Sequence, residues 1–226
     1  MTLHSVPPFG RAGYGGEAMM RAHGDGGGIK TLRVLRIAAG AALVFLVPVI
    51  QSANQQDRLP TPEDWQKAER DIKRLSPSAF KELPMAIVKQ LQARGCTVPQ
   101  AAQISEPHNV IRGEFARSGQ MDWAVLCSNA GQSLILLFWG RPTGCAAELA
   151  KQEDRHSLQT WVEPPIAYSR AIAPVGKDAI LKFYKWFGGP KPPPLHHQGI
   201  DDAMIGKYSV IHYCYQGKWL QLQGAD

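Results

Sequence analysis

The sequence predicts an α+β domain, an N-terminal helical pair packed on a mainly antiparallel β-sheet with a C-terminal hairpin. Three observations predict it. A cap signal at Thr61 and an apolar stripe over Phe80–Leu91 mark two helices. Three runs at 110–115, 123–127 and 133–139 are rich in β-branched and aromatic residues and are separated by turn residues. Finally, Tyr208–Leu222 reads as two strands joined at Gln216-Gly217.

The domain is assigned to residues 54–226, and residues 1–53 are read as a leader. Residues 37–50, IAAGAALVFLVPVI, form an uncharged apolar run preceded by Lys30, Arg33 and Arg36 and followed by polar QSANQQ. A spanning helix needs about 20 apolar residues, whereas a basic segment ahead of a shorter apolar one is the pattern of a signal peptide. Export to the periplasm or the medium is expected, with cleavage near Ser52 or Ala53. An uncleaved leader is the one foreseen route to the membrane. Met19 and Met20 offer alternative starts that would give a leader of ordinary length.

The formal charge of the whole chain is +6. Residues 1–53 hold five Lys/Arg and two Asp/Glu, so the remainder carries +3. With no basic stripe interleaved with aromatics, nucleic-acid binding is not expected.

Along the domain, Thr61-Pro62-Glu63-Asp64 supplies a cap, a first-turn proline and acids at the positive end of a helix reaching about Leu75. Ser76-Pro77-Ser78 interrupts it. Phe80, Leu83, Ile87, Val88 and Leu91 then form one helical face, and Gly95 stops the second helix. The three apolar runs read as a meander, with Leu134–Trp139 apolar enough for burial on both faces. Segments 157–162 and 166–172 suit strands, Lys177–Phe187 suits a helix, and the proline-rich 188–194 suits a stiff connector.

Cys96, Cys127, Cys145 and Cys214 all lie in the exported part, where disulfides are favoured. The preferred pairing is Cys96 with Cys127, since one follows a helix end and the other sits in the next strong strand. Cys145 with Cys214 is its complement, and free buried thiols are the alternative. No zinc-type spacing is present.

The stretch Gly113–Val125, GEFARSGQMDWAV, resembles one FG-GAP repeat of integrin-α-like propellers, matching at Gly113, Phe115, Gly119, Asp122, Ala124 and Val125. The resemblance implies calcium oxygens at Glu114, Ala116, Ser118, the Gln120 backbone and Asp122. Glu114 and Asp122 are therefore the metal candidates. Calcium takes six to eight oxygens, however, and Ala116 offers none from its side chain while Arg117 adds a positive charge. The loop is accordingly read as a shell without an ion, with Asp122 capping loop amides and Phe115 and Trp123 packing.

More broadly, RGC-x-x-PQ, NVIRGEF, DWAVLCS, GGPKPPPL, GIDDA and the terminal KYSVIHYCYQGKWLQLQGAD resemble a group of uncharacterised exported bacterial proteins. This implies export and one domain, and it carries no activity.

Titratable groups crowd in His196-His197-Gln198-Gly199-Ile200-Asp201-Asp202, read as a loop after the proline run. A small exported hydrolase using His196, His197, Asp201 and Asp202, with His197 and Asp202 as the reacting pair, is one reading. The sequence contains no G-x-S-x-G elbow, HExxH helix or P-loop. The preferred reading is a non-enzymatic binding or structural module without a cofactor, whose partner is an envelope protein or a glycan. Trp186 and Trp219 are the tryptophans expected at the surface, Trp123 and Trp139 those expected inside.

Overall fold

Thr61 forms a capping box with Asp64, its amide donating to Asp64 Oδ2 at 2.8 Å, and this starts helix α1, Pro62–Arg70. The helix ends one turn short of the expected limit at Leu75. Ile72 is drawn into a cluster with Leu158, Ile166 and Tyr168, and Arg74–Leu75 become strand β1, paired with β2, Val98–Pro99. The computed structural model describes residues 59–162 and 164–225. The expected leader, residues 1–53 with the apolar run 37–50, lies outside the described residues.

Helix α2, Met85–Ala93, presents Ile87, Val88 and Leu91 inward and ends before Gly95, whose φ of +65° suits a residue without a side chain. The two N-terminal helices serve different places. Trp65 and Ala68 of α1 pack with Leu158, Ile166 and Tyr168, whereas α2 packs on the sheet formed by the meander.

That sheet comprises β3, Val110–Gly113, β4, Asp122–Asn129, β5, Gln132–Phe138, and β6, Glu148–Glu153, in sequential antiparallel order. Strand β7, Leu158–Thr160, pairs with β8, Ile166–Tyr168. A second four-stranded sheet has the order β12-β11-β10-β9, built from β9, Arg170–Val175, β10, Gly199–Met204, β11, Tyr208–Tyr215, and β12, Lys218–Gln223. The C-terminal hairpin thus belongs to a sheet of its own and does not extend the meander. Gln216 and Gly217 both take positive φ at its turn, which matches the twist of the strands.

The two sheets stack. Alternation along β4 and β5 sends Val125, Cys127 and Leu136 toward α2 and Ala124, Leu126, Ile135 and Leu137 toward Ile172 and Ile200 of the second sheet. The outer face of the second sheet carries Val175, Ile211 and Tyr213, covered by Ile180 of helix α3, Lys177–Phe187. The order of layers is α2, first sheet, second sheet, α3. Each fully buried aliphatic side chain in these layers contributes roughly 1.5–3 kcal/mol. Strand β5 is buried on both faces because it lies between α2 and the second sheet.

Three connections hold the layers together. Asn109, fully buried with φ of +71°, donates to the carbonyls of Pro99 and Arg170 and accepts from the Ile172 amide, joining both sheets. A disulfide joins Cys96, just after α2, to Cys127 of β4 in the first sheet, and another joins Cys145, in the connection from β5 to β6, to Cys214 of β11. Their separations of 31 and 69 residues correspond, on a chain-entropy scale, to about 4 kcal/mol of restriction on the unfolded chain for each.

Candidate functional site

The segment read as a loop, and offered as the alternative hydrolase site, is divided between a strand and a surface turn. Gly199–Met204 is β10, an inner strand of the second sheet, so neighbouring carboxylates point to opposite faces. Asp202 faces the first sheet, where Arg170 clamps it through Nε and Nη2 at 2.7 and 2.8 Å. Arg170 also donates to Ser133 Oγ at 3.0 Å and to the Ala150 carbonyl at 2.8 Å. His212 stands opposite with Nε2 3.7 Å from Asp202 Oδ2, beyond hydrogen-bond reach.

Arg170 is only 2% exposed, so this cluster lies between the sheets and out of reach of a bulky substrate. Burial opposes ionisation of Asp202, yet His212 and Arg170 outweigh it and hold the carboxyl below its ordinary range. Asp201, on the other face, is pushed upward mainly by burial, with Asp202 adding to the rise and Ser209 and His212 opposing it. A second buried anion, Asp154, accepts from Arg74 Nη2 at 2.7 Å and from Ser128 Oγ at 2.5 Å. Asp202 and its arginine thus tie the two sheets together, whereas Asp154 links β1 to β4.

The histidines of the segment lie elsewhere. Tyr213 Oη donates to the Pro194 carbonyl at 3.0 Å and accepts from the His196 amide at 3.2 Å. Its ring stacks on His197 with centroids 4.3 Å apart and planes within 2°. His197 Nδ1 lies 2.9 Å from the Gln198 carbonyl, which can only accept, so the contact places a proton on Nδ1. His196 is exposed and is held through its backbone. The four candidate groups, His196, His197, Asp201 and Asp202, do not converge on one space.

The Gly113–Val125 loop lies beside His197. Asp122 is fully buried; its Oδ1 accepts from the Gly140 amide and Gln120 Nε2, both at 2.8 Å, and its Oδ2 accepts from the Ala116 amide at 3.1 Å. Both carboxylate oxygens therefore face N–H donors. Glu114 is held through its backbone: its amide donates to Gln198 Oε1 at 2.9 Å, and its carbonyl accepts from the Gln198 amide. Gly113 permits this link, because a Cβ there would lie 2.6 Å from Gln198 Oε1. Among the described residues no group of three or more His, Cys, Asp or Glu stands together as a metal site.

Loop, turn and disulfide together frame an open groove of about 480 Å³. Arg117 and His197 line it with Thr143, Tyr215 and Gln216, and the Cys145–Cys214 bridge lies at its side. Arg117 Nη2 donates to the Pro142 carbonyl at 2.8 Å, which orients the guanidinium and leaves further N–H groups available. No carboxylate is among the lining residues.

Sequence reasoning missed Arg117 as a positive contributor, having treated it only as an obstacle to calcium. It also passed over Arg170 and His212, since nothing local reveals which buried carboxylate they will meet. Trp219, expected at the surface, stacks on Trp139 at 6.0 Å and donates Nε1–H to the Ala146 carbonyl. Trp186 is 62% exposed.

No family model, curated protein or solved structure matches this chain significantly. Among the described residues, no helix is long and apolar enough to cross a membrane. The two disulfides are compatible with an exported protein.

Proposed function

We propose that this chain is an exported, non-enzymatic binding module of a bacterial envelope, and that its groove holds an acidic glycan strand. The observation that carries the reading is the lining: Arg117 and His197, drawn from distant segments, stand with hydroxyl and amide groups and no carboxylate. Guanidinium pairs with carboxylate in a two-pronged geometry, and Thr143, Tyr215 and Gln216 suit sugar hydroxyls. An open groove fits an extended strand better than a small apolar substrate, which would require an enclosed cavity.

A general acid or base would need a partner within hydrogen-bond reach of a substrate in the groove. Asp202 is engaged by Arg170 between the sheets, so the hydrolase reading based on His197 and Asp202 lacks a converging pair.

The test is calorimetric titration of the full chain with uronic-acid oligosaccharides and with neutral oligosaccharides of equal length. Saturable binding of the acidic set, weakened at least tenfold by Arg117→Ala and reduced by His197→Ala, is expected. Equal affinity for both sets, or no binding, would refute the acidic-glycan reading. Turnover of the sugar that disappears in His197→Ala would instead establish the hydrolase.

A further inference from the structure

Helix α3 has two apolar surfaces, and only one of them is covered. Ile180 is buried on the second sheet with Ala179 and Leu181 beside it, and Phe183, half-buried, packs on the same cluster while its ring reaches the uncovered side. Trp186 projects away at 62% exposure, and Phe187 is 37% exposed. Phe183, Trp186 and Phe187 touch one another with ring centroids 6.2 to 6.4 Å apart, which makes a continuous aromatic ridge.

The surrounding charge is one-sided. Lys177, Lys182 and Lys185 lie on the helix and Lys191 follows it, against one acid, Asp178. Lys182 Nζ stands 4.3 Å from the centroid of the Trp186 ring. Gly188-Gly189-Pro190 follow at once and are all exposed.

Aromatic side chains edged by lysines, on an amphipathic helix held rigidly against a sheet, have the make-up of an interfacial helix. Such a helix seats its rings at the acyl boundary while its cations meet lipid phosphates. A protein partner would bring its own rim of mixed charge. Here the rim is cationic, which selects an anionic surface. We propose that the Phe183–Trp186–Phe187 ridge of α3 docks on an anionic lipid surface, with Lys182 and Lys185 contacting the headgroup phosphates. This docking is independent of the groove, which lies on other elements.

The experiment uses the full chain and vesicles of phosphatidylglycerol or phosphatidylcholine carrying brominated acyl chains, which quench only tryptophans that reach them. The leader contains no tryptophan, so any insertion of its own is silent. Quenching is expected with phosphatidylglycerol, is lost in Trp186→Phe, and is weakened by salt. The double variant Lys182→Glu with Lys185→Glu retains all six tryptophans and is expected to lower partitioning at least about tenfold. Quenching that persists unchanged in Trp186→Phe, or is equal on phosphatidylcholine, would overturn the proposal. So would a vesicle-free dimer, seen by sedimentation, that Trp186→Phe dissolves, because the ridge would then be covered by a second copy.

Discussion

The Tyr213 ring lies flat against the His197 imidazole at 4.3 Å, while its hydroxyl bridges the Pro194 carbonyl and the His196 amide. One strand residue thereby fixes the surface segment that lines the groove. Tyr213→Phe keeps the stack and removes both hydrogen bonds. The expected cost is about 1–2 kcal/mol by denaturant unfolding, with faster hydrogen exchange at the His196 amide. Ligand affinity should also fall, although Tyr213 is not among the groove-lining residues.

Asp202 and Arg170 form a pair that neither partner can leave alone. Asp202→Ala strands a buried guanidinium and is expected to cost about 3–5 kcal/mol. The double variant Arg170→Met with Asp202→Leu should lose less than the sum of the single changes, and a mutant cycle measures that difference. The folded carboxyl is held below the ordinary aspartate value of 3.8. Its contribution is therefore complete above that value and is lost as pH falls through the lower folded pKa. Wild type should show this acid limb in pH-dependent melting, and the double variant should lack its share.

His108 gives a second pH dependence nearer neutrality. Burial chiefly lowers its pKa below the ordinary 6.5; the Glu106 carbonyl opposes this and Lys73 adds to it. Its Nε2 accepts from the Ala101 amide at 2.8 Å, which only the neutral ring can do. Stability from His108 is thus complete above about 6.5 and declines as pH falls toward the folded value. Melting temperature should drop as pH falls below about 6.5, and His108→Gln should flatten that slope.

Asp122 is predicted to act as a loop cap, indifferent to calcium. Its oxygens accept from the Gly140 and Ala116 amides and the Gln120 side chain. Asp122→Asn turns one acceptor into a donor facing N–H groups, with an expected loss of about 1–3 kcal/mol. Millimolar calcium should leave the melting temperature of the parent unchanged. A rise that grows with calcium and vanishes in Asp122→Asn would show a metal site instead.

Several elements were legible because their signals are local. The Thr61 capping box, the face Ile87–Leu91 of α2, helix Lys177–Phe187 and the hairpin turn at Gln216-Gly217 each need only neighbouring residues, whereas Phe80 and Leu83, expected on the same helix, join its cluster from the turn before Met85. Strand β5 was readable as doubly buried because Leu134–Phe138 has no polar alternation.

Strands β6 and β10 were not legible. ELAKQE at 148–153 is polar because β6 is an edge, and GIDDAM at 199–204 resembles a solvated loop until Arg170 neutralises its inward carboxylate. The groove was hidden for the same reason, since Arg117 and His197 are 80 residues apart in the chain and share no local pattern.

The sequence by itself determined the helices, the tight turns and the alternation that assigns each strand two faces, because those depend on backbone preferences and hydrophobic period. Only the tertiary structure decided that there are two stacked sheets, which helix covers which face, and that Asp202 turns inward while His197 and Arg117 line one groove. Those outcomes rest on long-range contacts, in which a buried charge is tolerable solely because its partner arrives from another strand.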